Sequence, residues 1–293
     1  MKPYVLPDRR PAWCLAEDDA RAMEGRLWKE GVYDAFGLSL RPGGTVVDAG
    51  ANIGFFTRWL WHRVEAQAHV HLLEPLAELA AVAARNVAGT LGSATVHTLG
   101  LSDREEVSEL RFHPAFPMWS SRCVAMDEAR AAEMRDAAAA MVDKVYERVA
   151  VESGWKARAL QQALRLTPRS LWAQRLRDKL DTYQRYELRS ARFVTLSHVW
   201  ETIGASSWDL LKVDVEGDEL AVLRGLDDQH WPHVAQVVGE VDEGVAAVQR
   251  VADFLRQRGY EVRWEEVRVA GVRYPEVGVL HHVPYTFFAA RPR

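Results

Sequence analysis

Apolar residues along this chain fall into short blocks separated by longer stretches with helical periodicity. Thr45-Val46-Val47 reads as a buried strand and the segment from Phe55 to about Val64 as the helix after it. His69 to Leu73 predicts a second strand, and an alanine-rich helix follows over about 76–88. Thr95 to Leu99 predicts a third strand, with Val107 to Phe112 as a short edge hairpin beyond it. Trp208 to Asp214, Val234 to Gly239, Tyr260 to Val267 and Tyr285 to Ala290 read as further strands, with helices at about 217–226 and 244–258. Before all of these, Asp18 and Asp19 open a helix over about 18–30, and Gly31 follows its end.

Alternation of this kind predicts an α/β fold: a doubly wound, mostly parallel sheet with helices on both faces and an antiparallel strand at one edge. The rhythm breaks from about Asp127 to Arg189, where the pattern stays helical apart from Thr167-Pro168. Threonine there caps a second helix whose first residue is the proline. Trp172, Leu176, Leu180 and Tyr183 then fall on one face. The expected organisation is an N-terminal helical segment (1–40), a core formed by 41–126 and 190–293, and a helical insertion (127–189).

Charge and cysteine content narrow the class. A formal charge of −4 over 293 residues argues against a protein dominated by phosphate-backbone binding. Two cysteines are too few for a disulfide framework, so the expected compartment is the cytoplasm. The first residues lack a signal-peptide core, and no stretch reaches the roughly 20 apolar residues that a bilayer requires. The insertion is different: between Lys144 and Arg192, twelve Lys or Arg stand against five Asp or Glu. That pattern fits a lid, or a basic surface that steers an acidic partner such as a carrier protein holding a tethered intermediate. Nucleic acid is the weaker fit.

The chemistry concentrates in Val47-Asp48-Ala49-Gly50-Ala51-Asn52-Ile53-Gly54, between the first strand and its helix. Two glycines let a ligand approach the backbone. The pattern D-x-G-x-x-x-G lacks the third glycine of a dinucleotide fingerprint and the lysine of a P-loop, while a carboxylate leads the turn. S-adenosylmethionine, cationic and without phosphate, suits it. Ligands of such sheets lie beyond the carboxyl ends of the strands. There Asp48 is placed to meet the donor's ammonium, Gly50 and Gly54 its methionine part, Glu74 the ribose hydroxyls, and Ser102 with Asp103 the adenine. Asp214 and Glu240 are the candidate general bases. His113, His198, His281 and His282 are weaker ones. Asp214, Glu240 and Asp242 converging on Mg2+ is a further alternative.

The ordered set Val47–Gly54, Leu73-Glu74-Pro75, Leu101-Ser102-Asp103 and Leu211-Lys212-Val213-Asp214-Val215-Glu216-Gly217-Asp218-Glu219, continued by Val222-Leu223-Arg224-Gly225, resembles the FkbM family of S-adenosylmethionine-dependent methyltransferases. The resemblance spans about 40–113 and 193–260. It implies a Rossmann-like class I methyltransferase acting on a hydroxyl of a secondary metabolite or sugar. It also implies donor contacts from Asp48, Gly50, Asn52, Gly54 and Glu74. No Asn-Pro-Pro-Tyr type motif follows the Asp214 strand, which favours an oxygen acceptor over an exocyclic nitrogen. The expected activity is O-methylation of a small polyketide, peptide or sugar. The alternatives are an RNA or protein methyltransferase and a non-catalytic S-adenosylmethionine-binding domain.

Overall fold

The computed structural model describes residues 1–64, 67–90, 92–122, 162, 166, 168–269, 272–273 and 284–292. Strands β1 (Lys2–Val5) and β2 (Pro11–Cys14) form a hairpin that precedes helix α1 (Glu17–Glu24). The N-terminal segment is therefore a hairpin plus helix, and not helical throughout. Its strands are only four residues long, too short for a period-2 pattern to stand out. Past α1 the chain continues as a π-helical turn, Gly25–Glu30, closed by left-handed Gly31.

The alternation predicted from the sequence follows: β3 (Thr45–Ala49), α2 (Phe55–Val64), β4 (His69–Leu73), α3 (Ala77–Val87), β5 (Ser93–His97), β6 (Gly100–Leu101) and β7 (Glu106–Phe112). After them come α4 (Arg169–Tyr183), β8 (Glu187–Val194), α5 (Leu196–Ile203), β9 (Leu210–Val213), α6 (Glu219–Arg224), β10 (Gln236–Val241) and α7 (Val245–Arg256). The remaining strands are β11 (Glu261–Glu266), the short pair β12 (Arg268–Val269) and β13 (Val272–Arg273), and β14 (Tyr285–Ala290).

Seven strands make the central sheet in the order β11-β14-β10-β9-β3-β4-β5. The block from β10 to β5 is parallel, and β14 runs antiparallel to both β10 and β11. The antiparallel strand thus lies one place inside the edge that β11 forms. At the centre β3 and β9 are buried on both faces, which is why Val46-Val47 and Leu210-Leu211 read as apolar runs, whereas β4 alternates between half-buried His69 and His71 and buried Val70 and Leu72. Phe55, Trp59, Leu60 and Trp61 pack on one face; Trp208, Leu211, Val213 and Trp231 pack on the other.

Helix α2 is buried at every position from Phe55 to Trp61, including Thr57 and Arg58. Its outer side is covered by the N-terminal hairpin. Arg58, 2% exposed, donates from Nε and Nη2 to Asp8 at 3.0 and 2.6 Å and from Nη1 to the Pro11 carbonyl at 2.8 Å. A charge in that position is tolerated only because it is paired.

A second, three-stranded sheet runs β6-β8-β7. Here the sequence expectation of helix up to Arg189 fails: α4 ends at Tyr183 and β8 begins at Glu187. Helix α4 begins at Arg169, with Pro168 in the cap position rather than as the first helical residue. Thr167, and most of the predicted insertion, lie outside the described residues. Tyr183 anchors α4: its ring stacks on Phe116 (centroids 4.5 Å apart) and its hydroxyl donates to Asp18 of α1 at 2.7 Å. Among the described residues no helix is long and apolar enough to cross a membrane.

Candidate active site

The turn from β3 into α2 holds three residues with left-handed backbone: Gly50 (φ +74), Asn52 (φ +49) and Gly54 (φ +77). A methyl group on Gly50 would sit 1.8 Å from the Asp214 carbonyl oxygen, so only glycine lets this turn pass the end of β9. Asparagine is among the few other residues that adopt this conformation readily. Gly50 and Ala51 donate their N–H groups to the Leu73 carbonyl, at 3.0 and 3.1 Å, which ties the turn to the end of β4.

Glu74 completes the tie. It accepts from the Asn52 N–H at 2.9 Å and the Leu76 N–H at 3.0 Å. Burial raises its carboxyl to about 7, against the opposing effect of those two backbone donors. A carboxylate retains acceptor capacity beyond two bonds, and Glu74 lines the cavity. So does Asn52, whose buried Oδ1 has no hydrogen-bond partner among the described residues.

Asp48 and Lys212 are register partners on adjacent parallel strands, so their side chains share a face. Lys212 Nζ lies 3.2 Å from Asp48 Oδ1 and 3.5 Å from Asp214 Oδ2, and donates to the Gly50 carbonyl at 2.8 Å. Burial works against this ammonium, but the two carboxylates outweigh it and hold its pKa above the ordinary lysine value. Asp48 also accepts from the Thr57 hydroxyl at 2.9 Å. With no exposed surface, Asp48 is absent from the cavity wall. It lies beneath the floor as the counter-charge to Lys212, not at the position expected for a direct donor contact.

The cavity opens at the carboxyl ends of β3, β4 and β9, where the chain leaves β3 for opposite sides of the sheet. Its space, open mouth included, is about 1140 Å³. Asp214 lines it with a side chain 31% exposed. Glu240 also lines it, but is 4% exposed and paired with Arg26 of the π-helical turn. That pairing disfavours the role of free base expected for Glu240. Ser102 and Asp103 fall outside the wall, whereas their neighbours Gly100 and Leu101 form part of it. The Ser102 hydroxyl instead accepts from Arg122 Nη2 at 3.0 Å.

The Mg2+ alternative is not supported: among the described residues no three His, Cys, Asp or Glu side chains form a group able to hold a metal. His113 Nδ1 contacts the Tyr183 carbonyl (2.9 Å) and His198 Nδ1 contacts Glu105 (2.9 Å), both away from the cavity. His281 and His282 lie outside the described residues.

Sequence reasoning missed Arg26, Tyr33, Met118, Arg122 and Phe193, all of which line the cavity. Arg26 and Tyr33 come from the N-terminal segment, Met118 and Arg122 from the segment after β7, and Phe193 from β8, and no local motif marks them. Arg122 is held by Glu106 (2.6 Å) and Asp218 (2.8 Å).

The loop after β9 is equally constrained. Glu216 (φ +56) and Gly217 (φ +110) have left-handed backbones, and buried Glu219 accepts from the Val215 and Gly217 N–H groups at 3.2 and 3.0 Å. A carboxylate thus braces each of the two loops flanking the cavity: Glu74 for the first, Glu219 for the second.

Residues 48–262 match the family model described as the methyltransferase FkbM domain. The 31-O-demethyl-FK506 methyltransferase FkbM of Streptomyces tacrolimicus is 30% identical over 266 residues, covering 89% of each chain. AMB antimetabolite synthetase AmbE of Pseudomonas aeruginosa is 30% identical over 241 residues, 80% of this chain but only 10% of that protein's length. Among solved structures, precorrin-6y C5,15-methyltransferase of Geobacter metallireducens overlaps 86% of this chain and 82% of its own, at 10% identity and a TM-score of 0.35. That overlap is too loose to inform the site. The family match covers the glycine turn, the Glu74 brace and the Asp214 loop together, and the chain belongs to the FkbM methyltransferase family.

Proposed function

We propose that this protein is an S-adenosylmethionine-dependent O-methyltransferase acting on a hydroxyl of a small-molecule metabolite of polyketide, peptide or sugar type. The observation that carries the reading is the wall formed by Glu74 and Asn52. A buried carboxylate with acceptor capacity to spare stands beside a buried amide oxygen that has no partner among the described residues. Buried acceptors need donors, and the ribose hydroxyls and ammonium of this nucleoside supply them. The oxygen acceptor is supported by the acidic rim and by the activity printed in the name of the Streptomyces relative.

Glu74, Asn52 and the bare backbone at Gly50 would hold the donor, which supplies an electrophilic methyl carbon when bound. Glu74 fixes the glycine turn, and Lys212 fixes that turn's carbonyls. Asp214, the cavity-lining carboxylate two residues from Lys212 on the same face, is positioned to take the acceptor's proton. The apolar wall excludes water and orients the acceptor, from which much of the acceleration of a displacement reaction derives.

Incubation with methyl-labelled S-adenosylmethionine and a panel of hydroxylated polyketides, peptides and sugars tests the reading. Label recovered as an O-methyl ether supports it; label on nitrogen or carbon, or none, overturns it. In Asp214→Asn the rate should fall by about 10²–10⁴ with donor affinity preserved, the usual contribution of a general base.

A further inference from the structure

Tyr33 lies just past the π-helical turn, 3% exposed, on the cavity wall. Its ring meets Phe56 edge-on (centroids 5.4 Å) and Trp59 at a tilt (5.8 Å), both in the first turns of α2. Phe56 in turn lies 5.6 Å from Lys212 Nζ, which donates to the Gly50 carbonyl. Tyr33 thus belongs to the stretch of wall that continues from the glycine turn. Among the described residues no hydrogen bond of its hydroxyl is found. Burial, with Asp214 next in importance, pushes the phenol well above its usual pKa and keeps its proton on.

The amino-acid end of the donor is a zwitterion and needs an acceptor for its ammonium and a hydrogen-bond donor for its carboxylate. Asn52 Oδ1 offers the acceptor. Lys212 is not free to serve the carboxylate, because its ammonium is committed to Asp48, Asp214 and two backbone carbonyls. Arg26, which lines the same wall, is engaged with Glu240.

Resting on the function proposed above, we propose that the Tyr33 hydroxyl donates a hydrogen bond to the α-carboxylate of the methyl donor, an assignment that no sequence motif makes. The N-terminal segment then contributes to donor recognition, and does not merely cover α2.

Calorimetry with two nucleosides tests this. S-adenosylhomocysteine carries the amino-acid end; 5′-methylthioadenosine lacks it. Tyr33→Phe keeps the ring packing, and a thermal melt checks its fold. The expected result is about tenfold weaker binding of S-adenosylhomocysteine, in line with loss of one hydrogen bond to a charged group. Affinity for 5′-methylthioadenosine should stay within about twofold of wild type. Equal losses for both nucleosides would show a packing role and overturn the assignment. Unchanged S-adenosylhomocysteine affinity would also overturn it. If the unaltered protein bound neither nucleoside, the donor reading itself would fall, an outcome distinct from the other two.

Discussion

At the scale of single residues, this site is organised by buried charges with assigned partners. Lys212 is the clearest case, since it neutralises Asp48, which has no contact with solvent, while binding two carbonyls of the glycine turn. Lys212→Met would leave Asp48 with the Thr57 hydroxyl alone among the described residues. An uncompensated buried charge of this kind costs about 3–5 kcal/mol. Urea unfolding should register that loss, and a change under 1 kcal/mol would mean the lysine is not the counter-ion. The acids without cationic partners behave differently. Burial raises Glu219 to about 8, Glu74 to about 7 and Asp19 to about 7. Because these folded-state values exceed the ordinary ones, their stabilising contribution is complete below about pH 4 and disappears as pH rises through 7 to 8. Unfolding free energy should therefore fall between pH 5 and 8. Glu219→Gln, which retains an acceptor oxygen but cannot ionise, should flatten that fall; an identical slope would refute the assignment.

Gly50, Asn52, Gly54 and Glu74 were legible as members of one turn and one strand end; Gly50, Asn52 and Glu74 line the cavity, whereas Gly54 faces Ala83, Leu72 and Val87 and stays off its wall. Asp48 was legible as important but not in its role, since its partner Lys212 is apparent only from strand register. Tyr33 and Arg26 carry no local signal: tertiary docking of the N-terminal segment brings them to the wall.

At the scale of elements, propensity and pairing competed. Strand β8 escaped notice because Glu187, Arg189 and Arg192 give it the composition of the preceding helix, while its partner β7 lies over 70 residues earlier in the chain. Thr195 caps α5, its hydroxyl accepting from the His198 N–H at 3.1 Å. Thr195→Ala should cost about 1 kcal/mol in thermal or urea unfolding, and no measurable loss would mean the cap is redundant. The π-helical turn lacks any such signal. Gly31 marks its end, but nothing in Gly25–Glu30 distinguishes an i+5 hydrogen-bond pattern from an ordinary helix. Such turns recur at functional sites, and this one brings Arg26 to Glu240.

At the scale of the whole molecule, the strand order decides where a ligand can act. The chain leaves β3 toward β4 on one side and reaches β9 on the other, so the cleft between their carboxyl ends is fixed by topology. A ligand there stabilises the native state by mass action, by about 2.7 kcal/mol at a hundredfold excess over Kd. S-adenosylhomocysteine should accordingly raise the melting temperature with a concentration dependence that follows its calorimetric Kd. Methyl transfer should also survive excess chelator. Inhibition reversed by added magnesium would restore the metal alternative.

The placement of β14 has a consequence for synthesis. This strand enters between β10 and β11, although both are made before it. Until β14 has left the ribosome, β10 has one side open and β11 has no neighbour in the central sheet. Closure awaits the emergence of Tyr285–Ala290, and until then the nascent domain has an adhesive flank that a chaperone or a wrong strand can occupy first.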